Sequence, residues 1–333
     1  MSEHGASVVI PTFNRKERLA RVLAALSRQT AAPTAFEVVV VDDGSSDGTS
    51  EWLGAQHFPF QLRSIRQANG GPARARNAGV EAAGRSLLLF LDDDVEPFPE
   101  LIDEHLAWHA RERDVVVIGP LGTLPHYAQP WVTWEQVRIE RQYRDMEKGV
   151  YAPSFRQFWT GNASVARDHV RAAGGFNNDF LRGEDVELGS RLHERGLKFR
   201  FNPRARTLHH AERSLESWEL AQSSYGRLEV RIFGRLSDTP LEDVLAYNFS
   251  RLHPLMRKVV RRCALGPTYF TAAKWTLERS LRLEAAAPRT LIADQLCSVL
   301  ANVLYWRASA TELGFSNMKR IFDRGDEIRS RQS

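Results

Sequence analysis

Along the first 120 residues, runs of apolar side chains alternate with segments in which apolar residues return every three or four positions. Ser7-Val8-Val9-Ile10-Pro11-Thr12 predicts a buried strand, and Leu19, Val22, Leu23 and Leu26 behind it predict a helix. Asn14, three residues ahead of Glu17, has the spacing of a cap that opens this helix. Residues 36–41 predict a second strand and 62–66 a weaker third, while 72–83 suit a helix with proline in its first turn. A fourth strand over 86–91 runs into three aspartates, followed by a helix over 99–113 and a strand over 115–118. Successive βα units of this length require right-handed crossovers, so the expected class is α/β with a twisted, mostly parallel sheet.

Between about 125 and 180 the pattern loosens into scattered prolines, glycines and aromatics. It returns as a helix over 184–195 and a strand over 197–202. Beyond residue 214 the reading is helical throughout, with breaks near Pro240, Pro254, Pro267 and Pro288. We therefore expect an α/β domain over 1–213 and a helical region over 214–333.

Ligands on open α/β sheets bind beyond the carboxyl ends of the strands. Asn14 follows the first strand, Asp42 and Asp43 the second, and Asp92-Asp93-Asp94 the fourth. Were the strand to stay extended, Asp92 and Asp94 would converge and Asp93 would face elsewhere. Paired carboxylates suit Mg²⁺ or Mn²⁺, which bridge protein oxygens to substrate phosphates; a solvated acidic turn fits the triplet as well. The loop 42–49 offers carboxylates for a ribose or a base, or simply turns with Asp47 or Thr49 capping a helix. Gly70-Gly71-Pro72 opens a helix whose N–H groups favour phosphate, with Arg76 and Asn77 one turn in, though Arg74 and Arg76 fit plain surface charges equally well. Glu184-Asp185 supplies either a general base or first-turn acids that suit the helix dipole. His209-His210 would point to opposite faces, leaving one of them for any given metal site.

Composition narrows the class. Of the 333 residues, 43% are hydrophobic and 26% charged, as in globular proteins. Two cysteines, Cys263 and Cys297, build no disulfide framework or four-ligand zinc site. No apolar run reaches membrane-spanning length and the first residues do not read as a secretory leader, so a cytoplasmic protein is expected. The net charge of +4 is carried by residues 214–333, with 18 basic and 13 acidic side chains. Arg251, Arg257, Lys258, Arg261 and Arg262 lie opposite Leu255, Met256, Val259, Val260 and Cys263 on a predicted helix. That pattern suits peripheral contact with an inner membrane face, or a helix packed on its apolar side.

Taken in order, Pro11-Thr12-Phe13-Asn14-Arg15, Val41-Asp42-Asp43-Gly44-Ser45, Ala75-Arg76-Asn77, Asp92-Asp93-Asp94, Thr160-Gly161-Asn162, Gly174-Gly175-Phe176 and Gly183-Glu184-Asp185 resemble family 2 glycosyltransferases of the GT-A fold. The resemblance covers roughly residues 6–210; the last 120 residues match nothing in the family core. It implies a Rossmann-like sheet with flanking helices and a C-terminal helical extension. It also implies inverting transfer from a UDP-, GDP- or dTDP-sugar to a glycan, lipid-linked or small-molecule acceptor, with Mn²⁺ or Mg²⁺ and no nucleic acid. By the same resemblance Pro11, Thr12, Asn14, Asp42, Arg76 and Asp92 would hold the nucleotide, and Asp94 and His209 the metal. Asp185 would be the catalytic base with Glu184 beside it, and Gly161 and Asn162 would form the loop facing donor sugar and acceptor. Two other classes compete. A nucleotidyltransferase would carry a glycine-rich basic loop after the first strand, where Pro11-Thr12-Phe13-Asn14-Arg15 stands instead. A non-catalytic glycan or sugar-nucleotide binding module need not keep both acidic motifs.

Overall fold

The computed structural model describes residues 5–124, 127–180, 182–233, 240–284 and 290–331. The chain forms two compact units, one of Met1–Pro125 with Arg138–Ala211, the other of His126–Val137 with Glu212–Ser333. The segment 126–137 thus clusters with the helical unit although it lies far inside the expected α/β stretch.

The first unit is built on strands β1 (Ala6–Thr12), β2 (Phe36–Asp42), β3 (Gln61–Arg66) and β4 (Leu87–Leu91). Between them run helices α1 (Lys16–Leu26), α2 (Thr49–Gly54) and α3 (Pro72–Ala82). A short strand β5 (Val95–Pro97) and helix α4 (Leu101–Arg111) lead to β6 (Val115–Ile118) and β7 (Leu121–Thr123). After α5 (Pro130–Glu147) come β8 (Asn162–Ala166), α6 (Arg167–Ala172), α7 (Glu184–Glu194), β9 (Lys198–Phe201) and β10 (Thr207–His209).

Seven strands form one sheet in the order β3-β2-β1-β4-β8-β6-β9. All neighbours are parallel except β8, which runs antiparallel to both β4 and β6. A second sheet has the order β5-β10-β7. The apolar runs are continuous because the main sheet is covered on both faces. Val8, Ile10, Val38 and Val40 join the core with Leu19 and Leu23 of α1, whereas Val39 and Val41 pack with Ala75 of α3. Pro11 sits past the end of the β1–β4 ladder, which pairs only Ala6 to Val9, so its missing N–H costs that ladder nothing.

The helical unit contains α8 (Leu215–Leu228), α9 (Leu241–Ser250), α10 (Pro254–Leu265), α11 (Pro267–Glu284), α12 (Leu291–Leu313) and α13 (Phe315–Ser330). Prolines at 240, 254 and 267 mark helix starts, where a missing N–H is harmless; the expected break at Pro288 lies outside the described residues. Phe249, Val260, Trp306, Met318 and Phe322 form its core. On α10, Val260 turns into that core and Cys263 is buried as well, while Leu255 is exposed. Arg257 and Arg261 pair with Asp326 and Asp323 at 2.7 and 2.8 Å. The helix therefore packs by part of its apolar side and spends two basic residues within the unit. Among the described residues no helix is long and apolar enough to cross a membrane.

Candidate functional site

Three loops at the carboxyl ends of β1, β2 and β4 are laced together by their own polar side chains. Asn14 adopts a left-handed backbone (φ 53°), and its Oδ1 accepts from the Ser46 N–H at 2.8 Å. It does not cap α1. That role falls to Asp47, whose carboxylate accepts from Lys16 N at 3.0 Å and from Thr49 N at 3.1 Å, serving α1 and α2 together. Burial works to raise the Asp47 pKa, and the Thr49 hydroxyl and these N–H bonds together outweigh it and lower the pKa. Asp42, wholly buried, accepts from Ser45 N at 2.8 Å and from the Ser50 hydroxyl. Asp43 accepts from Gln67 Nε2 and from the Gly70 and Gly71 N–H groups, which fixes the turn into α3. The bonds of Asp42 tie it to the loop after β2 and to the first turn of α2.

α3 lies close on the sheet because Gly79 carries no Cβ; one placed there would come within 2.3 Å of Val9 Cγ1. That approach sets Arg76 in the interior, while Arg74 is exposed. Arg76 donates to Asp92 Oδ1 at 2.6 Å and to Glu184 Oε1 at 2.5 Å. Burial opposes its charge, and the surrounding carboxylates more than offset that, so its pKa is raised. Glu184 and Asp185 stand in the first turn of α7, which Gly183 opens with φ 76°. Asp185 Oδ1 accepts from Val186 N at 2.8 Å. Burial, then the Glu184 charge, pushes the Asp185 carboxyl up to about 7, and Arg76 holds it from rising further.

The acidic triplet is not an extended strand end. β4 stops at Leu91, and Val95 N donates to Asp92 O at 3.1 Å, closing a turn. The expected convergence of Asp92 and Asp94 therefore gives way to three separate environments. Asp92 turns to Arg76. Asp93, buried, accepts from Thr12 Oγ1 at 2.8 Å and Arg15 at 2.9 Å, and desolvation raises it to about 6 despite Arg15. Asp94 Oδ2 accepts from Arg15 at 3.0 Å and Arg18 at 3.2 Å, while its Oδ1 lies 3.6 Å from His209 Nε2. His210 turns to Glu96 at 3.3 Å, so the two adjacent imidazoles do part to different partners. Burial lowers the His209 pKa despite the aspartates, favouring the neutral imidazole that can act as a ligand.

Among the described residues no group of three His, Cys, Asp or Glu side chains could hold a metal. Asp94 and His209 make a partial donor set. Two ligands on one small divalent ion stand about 3 Å apart at right angles and about 4 Å apart when opposite. The 3.6 Å separation lies between the two, so the pair must close or open by about half an ångström to share one ion. Such a pair fits an ion that takes its other ligands from water and substrate phosphates, as Mg²⁺-type sites do.

Gly161 lies against Asp92, where a Cβ would meet Asp92 Oδ2 at 3.2 Å. Asn162 is buried at the start of β8. Its Nδ2 donates to Pro120 O and Ala205 O, and its Oδ1 faces His105 Nε2 at 2.9 Å. Because Nδ2 is committed to two carbonyls, the Asn162 orientation is fixed and His105 must carry its proton on Nε2. His105 Nδ1 then accepts from Ser164 Oγ at 2.7 Å, and Ser164 Oγ accepts from His109 Nε2 at 2.8 Å. This chain anchors β8 beneath the site. Like Arg18, it went unnoticed in the sequence, where His105, His109 and Ser164 read as ordinary polar positions.

Residues 7–172 match the family model described as "Glycosyl transferase family 2". The chain is 35% identical over 218 residues to the validoxylamine A glucosyltransferase of Streptomyces hygroscopicus subsp. limoneus, covering 57% of this chain and 48% of that protein. It spans about half the length of the first curated relatives it matches. Its fold is similar to that of the mannosyltransferase PcManGT from Pyrobaculum calidifontis in complex with GDP-Man and Mn²⁺, with TM-score 0.57 and 19% identity over 97% of this chain and 86% of that one. It is also similar to S. aureus TarS 1-349 in complex with UDP, with TM-score 0.54 and 16% identity over 94% and 91% of the two chains. A GT-A fold is common ground between these structures and the present one.

Proposed function

Residues 7–172 place this chain in glycosyl transferase family 2, and from that premise we propose that it transfers a sugar from a nucleoside-diphosphate sugar to an acceptor hydroxyl with inversion at the anomeric carbon. The observation that carries this reading is the bridge made by Arg76, which joins the acidic turn after β4 to the Glu184-Asp185 pair at the start of α7. Two motifs far apart in sequence thereby belong to one site beyond the strand ends.

In this reading Asp185 takes the proton of the acceptor hydroxyl as its oxygen attacks C1 of the donor sugar. Its carboxyl, raised to about 7, sits near the pKa at which general-base work at neutral pH is most effective. Arg76 keeps Glu184 and Asp92 paired and so holds the base in place. Pro11, Thr12, Asn14 and the loop after β2 shape the nucleotide side, with Arg76 toward the base or the diphosphate and Asp92 near the ribose. Asp94 and His209 would hold Mn²⁺ or Mg²⁺, which when bound neutralises charge on the leaving diphosphate. The ligands named with similar structures, UDP and GDP-Man, make nucleoside diphosphates the first ligands to try. The acceptor falls among glycans, lipid-linked sugars and small molecules, and unit 212–333 is the part of the chain left for recognising it. Nucleotidyl transfer lacks its phosphate loop here, since Thr12 and Arg15 after β1 are tied to Asp93.

Calorimetric titration of UDP, GDP and dTDP, with and without Mn²⁺, into the wild type and Asp94→Ala tests the reading. Metal-dependent binding in the wild type and its loss in the variant are expected. Equal metal-dependent affinity in both would remove Asp94 from the metal site.

A further inference from the structure

Asp94 is already served by cations of the protein itself. Its Oδ2 carries Arg15 and Arg18, and Arg15 also takes Asp93 Oδ1. Arg18 donates in addition to the His210 carbonyl at 3.2 Å, which ties α1 to the end of β10. Glu96, the next acid along, is drawn to His210 and Arg28 and adds no charge to Asp94. Asp93 and Asp94 thus face two guanidiniums, and Asp92, held by Arg76, acts on the same cluster from farther off.

We propose that Arg15 and Arg18 act as built-in countercharges that make divalent-cation binding at Asp94 and His209 conditional on the diphosphate. The inference rests on the metal reading above and deepens it. The carboxylate the ion needs already carries two positive charges within hydrogen-bond distance, which an incoming dication must displace or sit beside. A diphosphate reverses the balance. It brings oxygen ligands to complete the coordination shell and adds negative charge that the half-exposed Arg15 can follow. Arg15 is about half exposed at its side chain (47%) and is able to leave Asp94 for a phosphate, whereas Arg18 at 26% and bonded to the His210 carbonyl stays. Cation and nucleotide then favour each other reciprocally, since coupling between two ligands acts equally in both directions. Idle metal binding, which would clamp Asp94 without a substrate, is suppressed by the same charges.

Mn²⁺ binding followed through the electron paramagnetic resonance signal of the free ion tests this without reference to turnover. Titrations are run alone and with UDP, GDP, dTDP or inorganic pyrophosphate. The wild type should bind Mn²⁺ weakly alone and at least tenfold more tightly with a diphosphate. Arg18→Gln should bind Mn²⁺ alone about tenfold more tightly than wild type, the effect of removing one nearby unit charge in a solvated site. The coupling factor should shrink correspondingly, and Arg18→Lys, which restores the charge, should return both values toward wild type. Circular dichroism melts identify any variant that fails to fold, and Arg15→Gln then provides the same comparison. Unchanged affinity for Mn²⁺ alone in folded Arg18→Gln, or its complete loss there, overturns the countercharge and makes Arg18 a scaffold. Wild type that binds no Mn²⁺ with any diphosphate overturns the metal reading and this inference with it.

Discussion

Nη1 of Arg76 donates to Oε1 of Glu184 at 2.5 Å across a sequence separation of 108 residues, and both groups are buried. Removing one partner of a buried pair leaves the other charge without compensation, which costs far more than the pair itself contributes. Arg76→Gln should therefore lose about 3–5 kcal/mol of unfolding free energy, read as the shift of a denaturant midpoint. A loss below about 1 kcal/mol would mean that Glu184 is served by water or protonates at little cost.

His105 and His109 should make the fold acid-sensitive in a defined window. Burial depresses both to about 4 from an ordinary value of 6.5. Between those limits the unfolded chain binds protons that the folded chain refuses, so stability is full above about 6.5 and is lost as pH falls toward 4. Each histidine contributes at most about 1.4 kcal/mol per pH unit. His105→Gln keeps an amide donor for Asn162 Oδ1 and removes one titration. Melting temperatures between pH 7 and 4 should then fall less steeply in the variant than in the wild type. Parallel curves would show that other groups govern the acid response.

Much of the first unit was legible because β1, β2 and β4 are runs of Val, Leu and Ile bounded by turn residues, and such runs have few other solutions. β8 was not legible for the converse reason. Its polar residues Asn162 and Ser164 are buried and satisfied by His105 and His109, so a central strand resembles a loop in sequence. The acidic triplet was found at its correct place beyond β4, but its geometry was read from an extended strand, whereas the chain turns at Asp92. Arg15 stood in the motif after β1 without an assigned role and Arg18 was not singled out; the acidic turn after β4, distant in sequence, supplies the carboxylates that both arginines meet. Asn14 has the right residue type for a cap, yet a cap from outside the helix, Asp47, took the position.

The basic side of α10 should not carry the protein to membranes. Each basic residue near an anionic leaflet is worth roughly 1 kcal/mol, but Arg257 and Arg261 are already paired with Asp326 and Asp323. Val260 and Cys263, which an interfacial helix would insert, lie in the core. Liposome flotation at low salt is expected to leave the protein in the unbound fraction with anionic and neutral vesicles alike. Salt-sensitive flotation with anionic vesicles alone would restore the peripheral reading.

Asp185 gives the sharpest separation of chemistry from stability. Its carboxyl is raised from an ordinary 3.8 to about 7, first by burial and then by Glu184. Between those values the folded chain holds a proton that the unfolded chain releases, so this group's contribution falls as pH rises from about 4 through about 7. Asp185→Asn has no charge to desolvate. It should be more stable than wild type at pH 8, with the advantage shrinking toward zero near pH 4. Catalysis should move the opposite way. Wild-type turnover should climb through about pH 7 as the base ionises, and Asp185→Asn, which cannot accept the proton, should lose about 10²–10⁴-fold in kcat with donor affinity near wild type. A variant that gains stability at pH 8 yet keeps more than about a tenth of wild-type turnover would leave Asp185 as a strained first-turn acid of α7 and pass the role of base to another group.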